Sequence, residues 1–160
     1  MLKLYKRADE GLYYWETWDK DSKTAIVHWG KVGERGAQRG VASGIFSNFR
    51  KTIQKEINER LTDGYQSIDI DKHHTLLIEY KIDDMGTPAD LEKRSRLEQR
   101  MDETLGWTGL GHCDGGSYGH GSMEVCCFVV DFDIASQIIQ ADLKGTEFAD
   151  YTRIFDENEG

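Results

Sequence analysis

Leu2-Lys3-Leu4-Tyr5-Lys6 alternates apolar and polar side chains, the period of a strand with one solvated face. Ala8 to Gly11 reads as a turn, and Leu12 to Trp18 is aromatic-rich in the way strands favour. Asp19 to Lys23 is a polar hairpin loop, after which Thr24 to Val32 resumes as a strand. Alternation there places Ala25, Val27 and Trp29 on one face and Ile26 and His28 on the other. With Val27 turned to the core, Trp29 starts on the core face too, and its exposure depends on how the strand ends. Ala37 to Ser43 is a fourth strand, closing an antiparallel sheet and placing its Arg39 beside Lys31 and Arg35. Phe49, Ile53, Ile57 and Leu61 then recur every four residues, which predicts a helix with one apolar stripe on the sheet, Ser47 as N-cap and Gly64 as left-handed stop.

Asp69 to His74 is polar and marks a boundary, so the chain divides into residues 1–68, a linker over 69–74, and residues 75–160. Thr75 to Ile82 is a strand. Thr87 as N-cap, Pro88 in the first helical position and Asp90 in the first turn start a helix that runs to Leu105 and stops at Gly106. A Gly-rich edge segment over 106–121 precedes an apolar strand from Met123 to Val130. Asp131 or Asp133 caps a helix from Ile134 to Leu143 that stops at Gly145, and Tyr151 to Phe155 is a last strand. Strand, helix, two strands, helix, strand is the order of a ferredoxin-like βαββαβ sandwich, so the expected class is α+β with two sheets.

Charge separates the two halves. Up to Ile70 there are 12 Lys/Arg against 10 Asp/Glu, a net of +2, and beyond it 8 against 19, a net of −11, together the −9 of the whole chain. Acidic surface repels phosphates, which excludes the second half as a nucleic-acid contact and suits it to solvation or a basic protein partner. Three cysteines and no charged-then-apolar leader point to a reducing cytoplasm, and no apolar run is long enough to span a membrane.

The most informative stretch is Trp29-Gly30-Lys31-Val32-Gly33-Glu34-Arg35-Gly36. Trp29 offers a flat apolar face, Gly30 admits a close backbone, and Lys31 and Arg35 can meet anionic oxygens. On spacing alone the same residues also read as a strand with a half-buried Trp that runs into a cation-bearing turn. With Tyr14-Trp15-Glu16, Ile26 to Gly30, Val32-Gly33, Gly36, Phe46 and Gly64-Tyr65, the segment from about Tyr13 to Tyr65 resembles a WGR domain, as in poly(ADP-ribose) polymerases and bacterial molybdate-regulator-like proteins. The resemblance extends loosely over residues 1–67. In the polymerases this module helps bind a DNA end and relays that binding, which implies contact with DNA ends, nicks or a neighbouring protein through Trp29 and Lys31. Lys31 departs from the family's Arg, and a point charge replaces a planar fork.

His112, Cys113, Asp114 and His120, with Cys126 and Cys127 beyond, concentrate possible ligands. No CxxC pair is present, and adjacent Cys126 and Cys127 point to opposite faces of a strand, so no metal site is expected. Gly115, Gly116 and Gly119 could form an anion nest, but no phosphate-loop spacing accompanies them and Asp114 opposes one. A Cys113–His112 or Cys113–His120 nucleophile pair lacks an orienting third group. His73-His74 reads as a linker pair with a potential response to pH. The expectation is therefore a non-enzymatic binding module without cofactor, contacting nucleic acid or a partner through Trp29, Gly30, Lys31, Arg35 and Arg39. The alternative is a bacterial inhibitor or immunity-type protein whose acidic half covers a basic enzyme or toxin.

Overall fold

The structure, a computed structural model, describes residues 1–159. The chain forms two compact units, Met1–Ile68 and Asp69–Gly160. The fold is α+β, with two antiparallel four-stranded sheets.

The first unit is a meander of β1 (Leu2–Ala8), β2 (Gly11–Asp19), β3 (Thr24–Lys31) and β4 (Ala37–Ala42), followed by helix α1 (Phe49–Thr62). The tight turn at Asp9-Glu10 pairs Ala8 with Gly11, which sets every cross-strand row behind it. On the helix-bearing face these rows are Leu4, Trp15, Trp29 and Ala37, then Leu2, Thr17, Val27 and Arg39. Leu4, Trp15, Ala25, Val27 and Val41 form the core with Phe49 and Ile53 of α1. The helical stripe runs off this core: Ile57 is partly buried and Leu61 is exposed. Asn48, not Ser47, caps α1, its Oδ1 accepting the Arg50 N–H at 2.9 Å. Ser47 is otherwise engaged, its Oγ accepting the Gly44 N–H at 2.9 Å.

The second unit contains β5 (His74–Lys81), α2 (Pro88–Trp107), β6 (Gly111–Gly119), β7 (Ser122–Val129), α3 (Phe132–Leu143) and β8 (Arg153–Asp156), with sheet order β6-β7-β5-β8. That βαββαβ connectivity and order are ferredoxin-like. Thr87 and Asp90 close a capping box at α2, and Asp131 caps α3. Gly106 does not stop α2; the helix passes through it to Trp107, because the left-handed residue that ends a helix is Gly109, with φ 66. His74 is not linker but the first residue of β5, behind a short 3-10 turn at Ile70–Lys72. Its Nδ1 lies 2.7 Å from Oδ2 of the buried Asp156.

Candidate nucleic-acid interface

Trp29 lies on the helix-bearing face, as its alternation with Val27 predicts, yet it is 37 % exposed. In its cross-strand row the core ends at Trp15, and the neighbours Trp29 and Ala37 lie outside it. The next row toward the sheet end, on the same face, is Lys6, Tyr13 and Lys31. An accessible indole is thus bordered by a phenol between two ammonium groups. Tyr65 extends the group: Tyr5 and Gln66 exchange backbone hydrogen bonds at 2.8 and 2.9 Å, holding the post-helix segment along β1. The Lys6 Nζ and Arg60 Cζ then lie 5.8 and 5.7 Å from the Tyr65 ring centroid, within cation–π range. Lys6 is also paired to Asp63 at 3.1 Å.

Lys6, Tyr13, Arg60 and Tyr65 were not among the sequence-derived site residues. The signal for two of them was present, since a two-residue turn at Asp9-Glu10 puts Lys6 opposite Tyr13 by counting alone. The meeting of Arg60 with Tyr65 depends on the path of the chain after α1, which no local pattern states.

The expected cations separate. Arg39 pairs with Val27, four residues from Lys31 along β3, so roughly 13 Å divides them at about 3.3 Å per residue, with the Trp29 row between. It does not lie beside Lys31, and Glu56 of α1 binds its guanidinium. Arg35 is exposed in the turn after β3. The Lys31 stem crosses Gly11, where an added Cβ would fall 2.9 Å from Cε. Ile45 and Phe46, in the loop before α1, are fully exposed at 94 % and 101 %.

Gly30 serves the chain's own crossing. A Cβ there would sit 2.9 Å from the Gly36 Cα, and one on Gly36 would sit 2.1 Å from the Trp29 carbonyl oxygen and 2.2 Å from the Tyr14 hydroxyl. Both glycines allow the returning strand to lie against β3. A polar chain, buried from Glu16 inward, fastens this crossing from the opposite face of the sheet. Lys3 Nζ lies 3.3 Å from Glu16 Oε2, Glu16 Oε1 lies 2.7 Å from His28 Nδ1, and His28 Nε2 lies 3.1 Å from the Tyr14 hydroxyl, which accepts the Gly36 N–H at 3.0 Å. Burial pushes the Tyr14 phenol up to about 12, against the Gly36 N–H that favours its ionised form. These contacts tie the Gly36 backbone to β2 and β3.

The second cluster of reactive side chains disperses along a strand. His112 is exposed with its ring near Phe128, Cys113 faces the buried Cys127, and His120 occupies the hairpin turn with φ 56. Gly111 and Gly116 are required by close approach, since a Cβ on either would lie 1.9 Å from a β7 carbonyl oxygen. Among the described residues, no group of three His, Cys, Asp or Glu side chains could hold a metal ion, and no helix is long and apolar enough to cross a membrane. Comparison with protein-family models, with curated proteins and with solved structures returns no match.

Proposed function

We propose that the first unit is a non-enzymatic nucleic-acid-binding module that takes a duplex end or nick against Trp29. The observation that supports this most is the half-exposed indole set in register beside Lys6, Tyr13 and Lys31 on one face. An indole at a duplex terminus can stack on an unpaired base face, worth about 1–3 kcal/mol. Lys31 and Arg35 flank it as phosphate contacts. The landmarks shared with WGR domains favour the same use. Because Arg39 is matched by Glu56 and Lys6 by Asp63, few cations remain to neutralise phosphates. Affinity is accordingly modest and salt-sensitive, with a logarithmic slope of about −2 to −3 for two or three contacts. The acidic second unit confines the nucleic acid to the first.

Fluorescence anisotropy with short labelled duplexes, blunt and nicked, tests the reading across salt concentrations. Trp29→Ala should weaken binding by about 5- to 150-fold, and Lys31→Ala should reduce the salt slope by about 1. Undiminished affinity in both folded variants would remove these residues from the interface. Absence of binding by the wild type at low salt would overturn the nucleic-acid reading in favour of a basic protein partner for the acidic half.

A further inference from the structure

Cys113 and Cys127 are direct cross-strand partners on β6 and β7. Two observations show which kind of pair they form. The Val130 N–H donates to the Leu110 carbonyl at 2.9 Å, which makes Leu110 and Val130 a hydrogen-bonded pair. Alternation from there makes Cys113 and Cys127 a non-hydrogen-bonded pair. Consistently, the Cys113 N–H leaves the ladder and donates to Asp102 Oδ1 of α2 at 3.1 Å. Non-hydrogen-bonded partners are the closer kind, with Cα atoms about 4.5 Å apart and Cβ atoms from about 4.5 Å. A disulfide spans Cβ atoms about 3.5–4.5 Å apart, so a small adjustment joins the two sulfurs. A bulge between Cys113 and Gly116 interrupts the ladder beside the pair and supplies that freedom.

Access is one-sided. Cys127 is fully buried, whereas Cys113 lines an open surface recess of about 230 Å³ with Glu98, Gln99, Asp102 and Gly115. We propose that Cys113 and Cys127 form a dithiol modification site, which a small neutral hydroperoxide entering the recess converts to a cross-strand disulfide. The carboxylates of Glu98 and Asp102 disfavour an anionic oxidant there, which selects a neutral one. A hydrogen bond from the Cys127 thiol, aided by the Gly115 N–H, holds the Cys113 thiol below its ordinary range despite burial and the charges of Glu98 and Asp102. The same hydrogen bond, with burial, pushes the Cys127 thiol far up, so Cys113 attacks first and Cys127 resolves.

In the first step the Cys113 sulfur attacks a peroxide oxygen. An S–O bond forms, the O–O bond breaks, sulfur loses two electrons to the peroxide, and the departing oxygen takes a proton to leave as water or an alcohol. In the second, the Cys127 sulfur attacks the sulfenic sulfur, the S–S bond forms, and the hydroxyl leaves as water with the Cys127 proton. Cys126, on the other face of β7, takes no part.

Treatment of the reduced full chain with dilute hydrogen peroxide tests the site. Of three titratable thiols, one should remain, with the mass of two hydrogens lost and peptide mapping joining Cys113 to Cys127 while Cys126 stays alkylatable. Cys127→Ala should stop at a dimedone-reactive Cys113, and Cys113→Ser, which alters only the partly exposed partner, should yield neither adduct nor bond. Three unreacted thiols under conditions that oxidise free cysteine, a bond that includes Cys126, or linkage between chains would overturn the proposal. The wild-type mapping decides even where Cys127→Ala fails to fold.

Discussion

Tyr14 and Gly36 together decide whether the turn that follows Trp29 and β3 holds its shape. Tyr14→Phe removes a hydroxyl that accepts the Gly36 N–H at 3.0 Å and meets His28 Nε2 at 3.1 Å. His28 is fully buried, so its ring nitrogen loses a partner where water does not replace it, at a cost of about 1–3 kcal/mol. Gly36 is partly exposed and its N–H can turn to water, adding a few tenths, so the single substitution should cost about 2 kcal/mol. Gly36→Ala acts by collision. Its Cβ would meet the Trp29 carbonyl and the Tyr14 hydroxyl at 2.1 and 2.2 Å, and because one of these is backbone the cost reaches about 3 kcal/mol.

The two changes share one contact and cannot be additive. With Phe at position 14 the second collision is relieved, so the double variant should cost about 3.5 kcal/mol instead of the sum near 5, a coupling of about 1.5 kcal/mol. Urea unfolding followed by tryptophan fluorescence and by exchange of the Gly36 amide measures this, the amide reporting on the turn where the two units unfold separately. Strict additivity, or a Gly36→Ala variant as stable as wild type, would refute the crossing geometry and the shape it imposes on Trp29.

Other outcomes are equally direct. Gly106→Ala should stabilise the second unit by about 0.5–1 kcal/mol in thermal unfolding, because the position is inside α2 and an added Cβ meets nothing within 4 Å. Gly116→Ala should disrupt the β6 edge, its Cβ falling 1.9 Å from the Glu124 carbonyl, whereas Gly115→Ala, with open space but φ +77, should cost only about 1 kcal/mol by the same measurement. Burial raises the Asp156 carboxyl, but the Asn158 N–H and His74 outweigh it and hold it below its ordinary 3.8. A carboxyl depressed in the folded state adds stability above its unfolded value and loses it as pH falls through the folded one. Unfolding in acid should therefore be less steep with pH in Asp156→Asn, and nuclear magnetic resonance titration of the Asp156 carboxyl should move upward in His74→Ala. Phe46→Ala should leave stability unchanged within about 0.5 kcal/mol, since the ring is fully exposed; a larger loss in urea unfolding would show that the ring is packed.

Local chemistry carried most of the elements into view. The Thr87, Pro88 and Asp90 start signal and the Asp131 cap are satisfied within a few residues of themselves, so no distant contact could override them. Ser47 and Asn48 show the limit: both can cap, and the choice went to the residue whose neighbour was not already using its oxygen. Gly106 shows another, because a glycine inside a helix and one ending it look alike until backbone angles distinguish Gly109. His74 read as linker because its acidic partner lies 82 residues away.

At the candidate interface the same distinction separates what periodicity states from what register adds. Alternation placed Trp29 on the core face, but its exposure follows from where the core cluster ends, a property of how far Phe49 and Ile53 reach across the rows. Gly30 read as an opening for a partner's backbone, and the backbone that fills it is the chain's own at Gly36. That crossing sharpens the proposed function: the glycines and the Lys3, Glu16, His28 and Tyr14 chain fasten the turn, and Trp29, Lys31 and Arg35 are the side chains of the motif proposed for recognition. Changes at the first group should lower stability together with binding, whereas changes at the second should lower binding alone. A variant series that fails to separate along this line would mean that Trp29 belongs to the scaffold and not to the interface.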